Sequence, residues 1–404
     1  MTLRMVRRAL TAALATVTLT ATALTATASA GTDRRGGRHD ATRAVMEAEV
    51  KAGTPGILGQ VQDTYGTWNA SAGVADLATH RQRLPRDRFR IGSVTKVFVS
   101  TVLLQLEAEG RIRLDDTVER WLPGLVHGNG HDGSRITVRQ LLNHTSGISN
   151  YTEDPAFRKI ISTGFSEHRY DTYTPDELVA VAMTHRPDFE PGKGWHYSNT
   201  NYIVAGMIVE KASGRDYATE IRERVIDRLG LRSTTLPGTS PRMPSPHGRA
   251  YSKLFATAPD AKIHDTTELN ASWGGAAGEI ISTTGDLNRF YRALLGGELL
   301  PERQQRELQT TVPTGDGTIG DGYGLGIAWS TLSCGRTVWF HSGGIHGSTS
   351  LASATPGGGH TAAFNLNSDW RGDLPALLEA EYCGSAPAAA TESTKSLARL
   401  TALR

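Results

Sequence analysis

Ser93 and Lys96 stand three residues apart in Arg90-Ile91-Gly92-Ser93-Val94-Thr95-Lys96, so one helical turn would set the hydroxyl and the amine on a shared face. A hydroxyl nucleophile gains from an adjacent amine and from the positive start of a helix, whereas a buried amine is costly unless acceptors surround it. Two later groups supply matching chemistry. In Tyr197-Ser198-Asn199, a phenol with an ordinary pKa of about 10 could relay a proton if a cation such as Lys96 biased it toward phenolate. Asn199 has both a donor and an acceptor, so it could hold the Lys96 ammonium and a substrate amide together. In His341-Ser342-Gly343, an imidazole could pass a proton to Tyr197 or to a leaving group. These groups together describe acyl transfer through a serine-bound intermediate, with either Lys96 or Tyr197 taking the first proton.

The elements that must position them follow from pattern. Val94, Val97, Phe98, Val99, Val102, Leu103, Leu104 and Leu106 point in nearly every direction between Ser93 and Gly110, which predicts a helix with protein on all sides. Tyr197 falls on a loop from Phe189 to Asn199 that leads into a helix ending near Gly214, and His341 falls on a strand. Further helices are predicted from Asp40 to Ala52, Pro175 to Thr184, Tyr217 to Leu229, Ser282 to Gly296 and Leu374 to Tyr382. Strand patterns occupy Ile57–Gln62 and Gly66–Val74 as a hairpin, then Tyr323–Thr331, Thr337–Ser342, Gly347–Ala354 and Thr361–Asn367. Strands at both ends and helices between them imply an α/β fold: one antiparallel sheet built from both chain ends, with flanking helices and an inserted, mainly helical region.

The 404 residues, 38% hydrophobic and 21% charged, suffice for one large domain over 40–383. Residues 1–30 read as a secretory signal, with a basic start at Arg4, Arg7 and Arg8 and Ala28-Ser29-Ala30 before the expected cut. A flexible leader is expected over 31–39 and a disordered tail over 384–404. Cleavage after Ala30 leaves 40 basic against 41 acidic residues, a net charge of −1. That balance gives no argument for nucleic acid or an anionic membrane as partner, and no later segment is apolar enough to span a bilayer. In an exported chain Cys334 and Cys383 are read as a disulfide, with two buried thiols the other possibility. No cofactor is expected. His341 and His346 are expected on opposite sides of an extended strand, which argues against a metal site.

The three motifs in this order resemble those of the penicillin-recognising serine hydrolases: class C β-lactamases, serine D-Ala-D-Ala carboxypeptidases and their esterase relatives. The likeness runs from Val50 to Cys383 and includes Leu141-Leu142-Asn143-His144-Thr145-Ser146-Gly147 and Gly278-Glu279-Ile280-Ile281-Ser282-Thr283. Secreted actinobacterial carboxypeptidases, which carry a cysteine pair at the same places, are the most similar branch. The resemblance implies a β-lactamase and DD-peptidase type of fold, Ser93 as nucleophile, and backbone N–H groups of Ser93 and Gly344 as the oxyanion hole. It places Ser342, Gly343 and Trp273 at the substrate, and His341 where many relatives have lysine. It also implies peptidyl-D-Ala-D-Ala as substrate and β-lactams as covalent inhibitors.

One departure matters. Carboxypeptidase relatives hold the substrate carboxylate with an arginine on the preceding strand, and Ile327-Ala328-Trp329-Ser330 offers none. Arg336 or another cation is expected to replace it, or Trp329 to line a more apolar pocket suited to esters and D-amino-acid amides. The readings are therefore a D-Ala-D-Ala carboxypeptidase, an esterase, D-amino-acid amidase or weak β-lactamase with the same residues, and a non-catalytic wall-binding or β-lactam-sensing protein.

Overall fold

Alternating apolar and small residues near both chain ends become strands that meet in one sheet. The computed structural model describes residues 36–314 and 319–385. Strands β1 (Gly56–Asp63), β2 (Gly66–Gly73), β3 (Gly322–Tyr323), β4 (Ala328–Thr331), β5 (Thr337–Ile345), β6 (Ser348–Ala354) and β7 (Thr361–Leu366) form a seven-stranded sheet. Their spatial order is β2-β1-β7-β6-β5-β4-β3, antiparallel throughout. The first chain end is thus sewn to the last by β1 and β7, with Leu58 opposite Asn365.

Helices α1 (Asp40–Lys51), α2 (Thr95–Ala108), α3 (Asn199–Ser213), α4 (Thr284–Leu295) and α5 (Leu374–Cys383) frame the sheet and the site. Successive strand residues face opposite ways, and both faces are covered. Ile57, Val61 and Phe364 pack with Val45, Met46 and Leu377 from α1 and α5. Leu58, Ala352 and Ala363 turn instead toward Leu287 and Phe290 of α4. The insertion between β2 and β3 carries α2, every residue of which from Thr95 to Glu107 is buried. An all-round apolar sequence has become a helix without a solvent face.

Several expectations need correction. The Tyr323–Thr331 strand is two short strands separated by Gly324-Leu325-Gly326-Ile327, with Gly326 at φ +86°. Asn199 opens α3 rather than lying on the loop. Short helices at Pro155–Ile161 and Glu302–Leu308 had no strong periodic signal. The signal segment 1–30, leader residues 31–35 and tail residues 386–404 lie outside the described residues. The rest of the leader is packed: Gly36–Arg38 forms a 3-10 turn, and His39 stacks on Trp68 at 4.6 Å with Nδ1 3.1 Å from Glu381. Cys334 and Cys383 form a disulfide with Cα atoms 5.7 Å apart, joining the β4–β5 turn to the end of α5.

Candidate active site

Ser93 lies in a 3-10 turn, Gly92–Val94, that leads directly into α2. Two glycines allow this turn to rest on β5. Gly92 has φ +52°, and a Cβ there would stand 2.8 Å from the backbone of Gly344. A Cβ on Gly343 would come within 1.9 Å of the Ile91 carbonyl oxygen. Only bare backbone permits the approach, and it brings the Ser93 turn beside Gly344, where the resemblance puts the oxyanion donors.

Lys96 sits in the first turn of α2, fully buried. Its Nζ is 2.9 Å from Ser93 Oγ and donates to Asn199 Oδ1 at 2.8 Å and to the Ala277 carbonyl at 2.7 Å. No carboxylate is among these partners, and burial pulls the ammonium well below its usual range. Deprotonation would leave two N–H bonds for the two carbonyl acceptors and a lone pair for the Ser93 hydroxyl. Asn199 is itself oriented, its Nδ2 donating to Thr152 Oγ1 at 3.1 Å and its backbone N–H to Asn150 Oδ1 at 3.1 Å. Burial pushes the Tyr197 phenol up, while a hydrogen bond with the Ser93 hydroxyl works the other way. The Lys96 amine lies 4.9 Å from the Tyr197 ring centre. Burial works against the expected bias toward phenolate, because it disfavours the charged forms of both Lys96 and Tyr197.

His341 differs from expectation as well. Its Nδ1 is 2.5 Å from the Ser342 carbonyl, which can only accept, so Nδ1 carries the proton and Nε2 accepts from the Tyr323 hydroxyl at 2.9 Å. Burial, with a smaller contribution from Lys96, lowers its pKa to about 3. At neutral pH it is an uncharged imidazole tied to Tyr323, and the ring centre of Tyr197 is 6.4 Å away.

Ser93, Tyr197, Asn199 and His341 line one cleft, a cavity of about 120 Å³, with Ser342, Gly343, Gly344 and Trp273 also on its wall. His346 lines it too, so the two histidines meet the same cleft rather than opposite sides: β5 ends at Ile345, and His346 begins the turn to β6. Trp329 does not reach the cleft, its indole instead donating to Thr311 at 3.3 Å. Arg336 is exposed in the β4–β5 turn, and the arginine that borders the cleft is Arg158.

Two residues that support the cleft went unassigned in the sequence. His144 adopts φ +61° and packs its buried ring 4.4 Å from that of Tyr197. Its Nδ1 accepts from the Ser198 N–H at 3.2 Å and from Asn201 Nδ2 at 3.1 Å, which pins the loop that carries Tyr197. Tyr151 donates its hydroxyl to the Trp273 carbonyl and so steadies the opposite wall. A histidine in the left-handed region is uncommon, but its sequence neighbours carry no sign of that conformation.

Comparison with known proteins gives the same picture. The family model described as Beta-lactamase matches residues 40–378. Penicillin-binding protein 4* of Bacillus subtilis is 28% identical over 299 residues, 70% of this chain and 61% of that protein, so the chain spans about six tenths of that relative's length. A crystal structure of a D-stereospecific amidohydrolase from a Streptomyces species is 55% identical, with a TM-score of 0.81 over 86% of this chain and 99% of that one. The D-amino acid amidase of Ochrobactrum anthropi SV3, complexed with L-phenylalanine amide, is 26% identical, with a TM-score of 0.72 over 90% of this chain and 99% of that one. With a family match running from α1 into α5 and a fold shared with penicillin-binding proteins and D-amino acid amidases, the chain belongs to the beta-lactamase family of serine hydrolases.

Proposed function

We propose that this protein is an exported serine hydrolase that cleaves amides of D-amino acids through an acyl-enzyme on Ser93. The observation that carries the reading is the contact of Ser93 with a buried Lys96 whose other partners are neutral carbonyl oxygens. In acylation Ser93 Oγ bonds to the substrate carbonyl carbon and its proton passes to Lys96 Nζ. The carbonyl oxygen becomes an oxyanion facing the Ser93 and Gly344 backbone. As the C–N bond breaks, Tyr197 gives its proton to the leaving amine and recovers one from Lys96. Water then attacks the ester, the same groups carry its proton back to Ser93, and the free acid leaves.

D-configured amides are preferred over D-Ala-D-Ala peptides because β4 brings no arginine to the leaving-group side, and a primary amide releases ammonia rather than a carboxylate-bearing residue. The amidohydrolase and amidase neighbours support this choice. Carboxypeptidase action on stem peptides is the second reading, favoured by the penicillin-binding relative. In either case β-lactams would acylate Ser93. Export follows from the reading of residues 1–30 and accords with a disulfide, which persists in oxidising compartments.

The test is hydrolysis of D- and L-phenylalaninamide beside D-alanine release from diacetyl-Lys-D-Ala-D-Ala, with Ser93→Ala as control. The D-amide is expected to turn over at least tenfold faster than its enantiomer, with a loss of about a thousandfold or more in Ser93→Ala. D-alanine release as the main activity would favour the second reading. Undiminished turnover in Ser93→Ala would remove the nucleophile assignment.

A further inference from the structure

Beyond the catalytic cluster the cleft continues along the end of β5 to Asp369 and His346. Asp369 follows β7 and is 8% exposed. Its Oδ2 accepts from the Gly347 N–H at 3.0 Å, and Oδ1 has no donor among the described residues. No cation of the described chain comes within 4 Å of this carboxylate, although Arg158 borders the same cleft. A carboxylate so withdrawn from water ordinarily has a positive partner or several donors.

His346 repeats the deficit. Its Nε2 is 2.5 Å from the Ile161 carbonyl, so the proton sits on Nε2 and Nδ1 is a bare acceptor. That nitrogen is buried and has no hydrogen-bond partner in the described chain. Phe165 stacks on the ring at 4.5 Å and Trp273 meets it edge-on at 5.6 Å, so the imidazole is held in place. Two neighbouring acceptors without donors, one of them anionic, match a group that brings several N–H bonds and a positive charge.

Position tells which half of the substrate carries that group. Tyr197, the proton source for the leaving amine, is on the His341 side of β5, and the oxyanion falls beside Gly344. The acyl half must therefore extend past Gly344 toward the β5–β6 turn. Gly347 is three residues on, at most roughly 10 Å of extended chain. We propose that Asp369 and His346 form an ammonium-binding subsite for the acyl half of the substrate, making this an enzyme of D-aminoacyl compounds with a free amine. The subsite deepens the amide-hydrolase reading and rests on it. The amine is the α-ammonium, two bonds from the carbonyl, or the side-chain ammonium of a D-lysyl group, six bonds away.

The experiment titrates Ser93→Ala calorimetrically with four ligands and so needs no turnover. D-Phenylalaninamide is set against N-acetyl-D-phenylalaninamide for the α source, and N-acetyl-D-lysinamide against N-acetyl-D-norleucinamide for the side-chain source. At least one charged ligand is expected to bind tenfold or more tightly than its neutral counterpart. The preference should shrink to within about twofold in Ser93→Ala/Asp369→Asn, where the amide oxygen still accepts from Gly347 and a thermal melt checks the fold. Equal binding of charged and neutral ligands, no measurable binding of the charged ones, or a preference that survives Asp369→Asn would each overturn the subsite. Wild type that hydrolyses no amide, combined with the stated binding ratios, would instead overturn the amide-hydrolase reading and leave the subsite standing.

Discussion

Lys96 and His341 show how burial decides what a side chain can do. Both carry familiar basic groups, and burial lowers the pKa of both because no carboxylate offsets the missing water. For Lys96 the shift favours a base beside a hydroxyl. For His341 it fixes a tautomer and makes the imidazole a neutral strut under Tyr323. A pH dependence follows. The folded His341 pKa of about 3 is below the unfolded value of about 6.5, so between these limits the unfolded chain binds the extra proton. Its contribution to stability is complete above about pH 6.5 and is lost progressively as pH falls toward about 3. Urea unfolding from pH 7 to 4 should therefore lose up to about 1.4 kcal/mol more per pH unit in wild type than in His341→Asn. Equal slopes would mean that the folded protein holds His341 protonated. The Ser93–Lys96 pair was legible in the sequence because one helical turn is local. Asp369 and the contact of His144 with Tyr197 were not, because each reaches the cleft only through tertiary packing.

The decisive contact between elements is that of the Ser93 turn with β5. Helix α2 was readable from its unbroken apolar run, and β5 from a short strand-like run punctuated by serine and glycine, yet nothing in either stretch says that they touch. Gly92 and Gly343 are the trace of that contact, and they gain meaning only when the Ile91 carbonyl is seen where a Gly343 Cβ would lie. The split strand near Tyr323 has a related explanation: a Cβ on Gly326 would meet Ser100 and Tyr202, so the chain bends there to let α2 and α3 pack beneath. Gly343→Ala is expected to push β5 off the nucleophile turn. Overpacking against backbone should cost about 2–3 kcal/mol, read as a lower urea midpoint at unchanged m. The acylation rate should fall more steeply than stability, because the Gly344 N–H moves away from the developing oxyanion. A variant with normal labelling by a fluorescent penicillin would show that the turn can retreat without disturbing the oxyanion site.

Across the whole molecule, the sheet is closed by strands from opposite chain ends, so its integrity depends on keeping the last segment in place. That plan was legible because strand patterns cluster at the two ends and helical patterns fill the middle. The polar helix at Glu302–Leu308 was not, since seven residues with two buried positions give little periodicity. The disulfide closes the last part of this plan. It links the β4–β5 turn to the end of α5 across 49 residues, a span that contains β5, β6 and β7. Constraining a loop of that length in the unfolded chain stabilises by about 4 kcal/mol on the chain-entropy model. Cys334→Ser/Cys383→Ser should lose most of that, seen as a fall in urea midpoint with little change in slope. Neither cysteine lines the cleft, so acylation by a fluorescent penicillin at 25 °C should stay within about twofold of wild type. Loss of acylation at a temperature where the double variant remains folded would mean that α5 and the β4–β5 turn transmit their packing through β5 to Ser93, making the bridge part of the site's support as well as of the fold's stability.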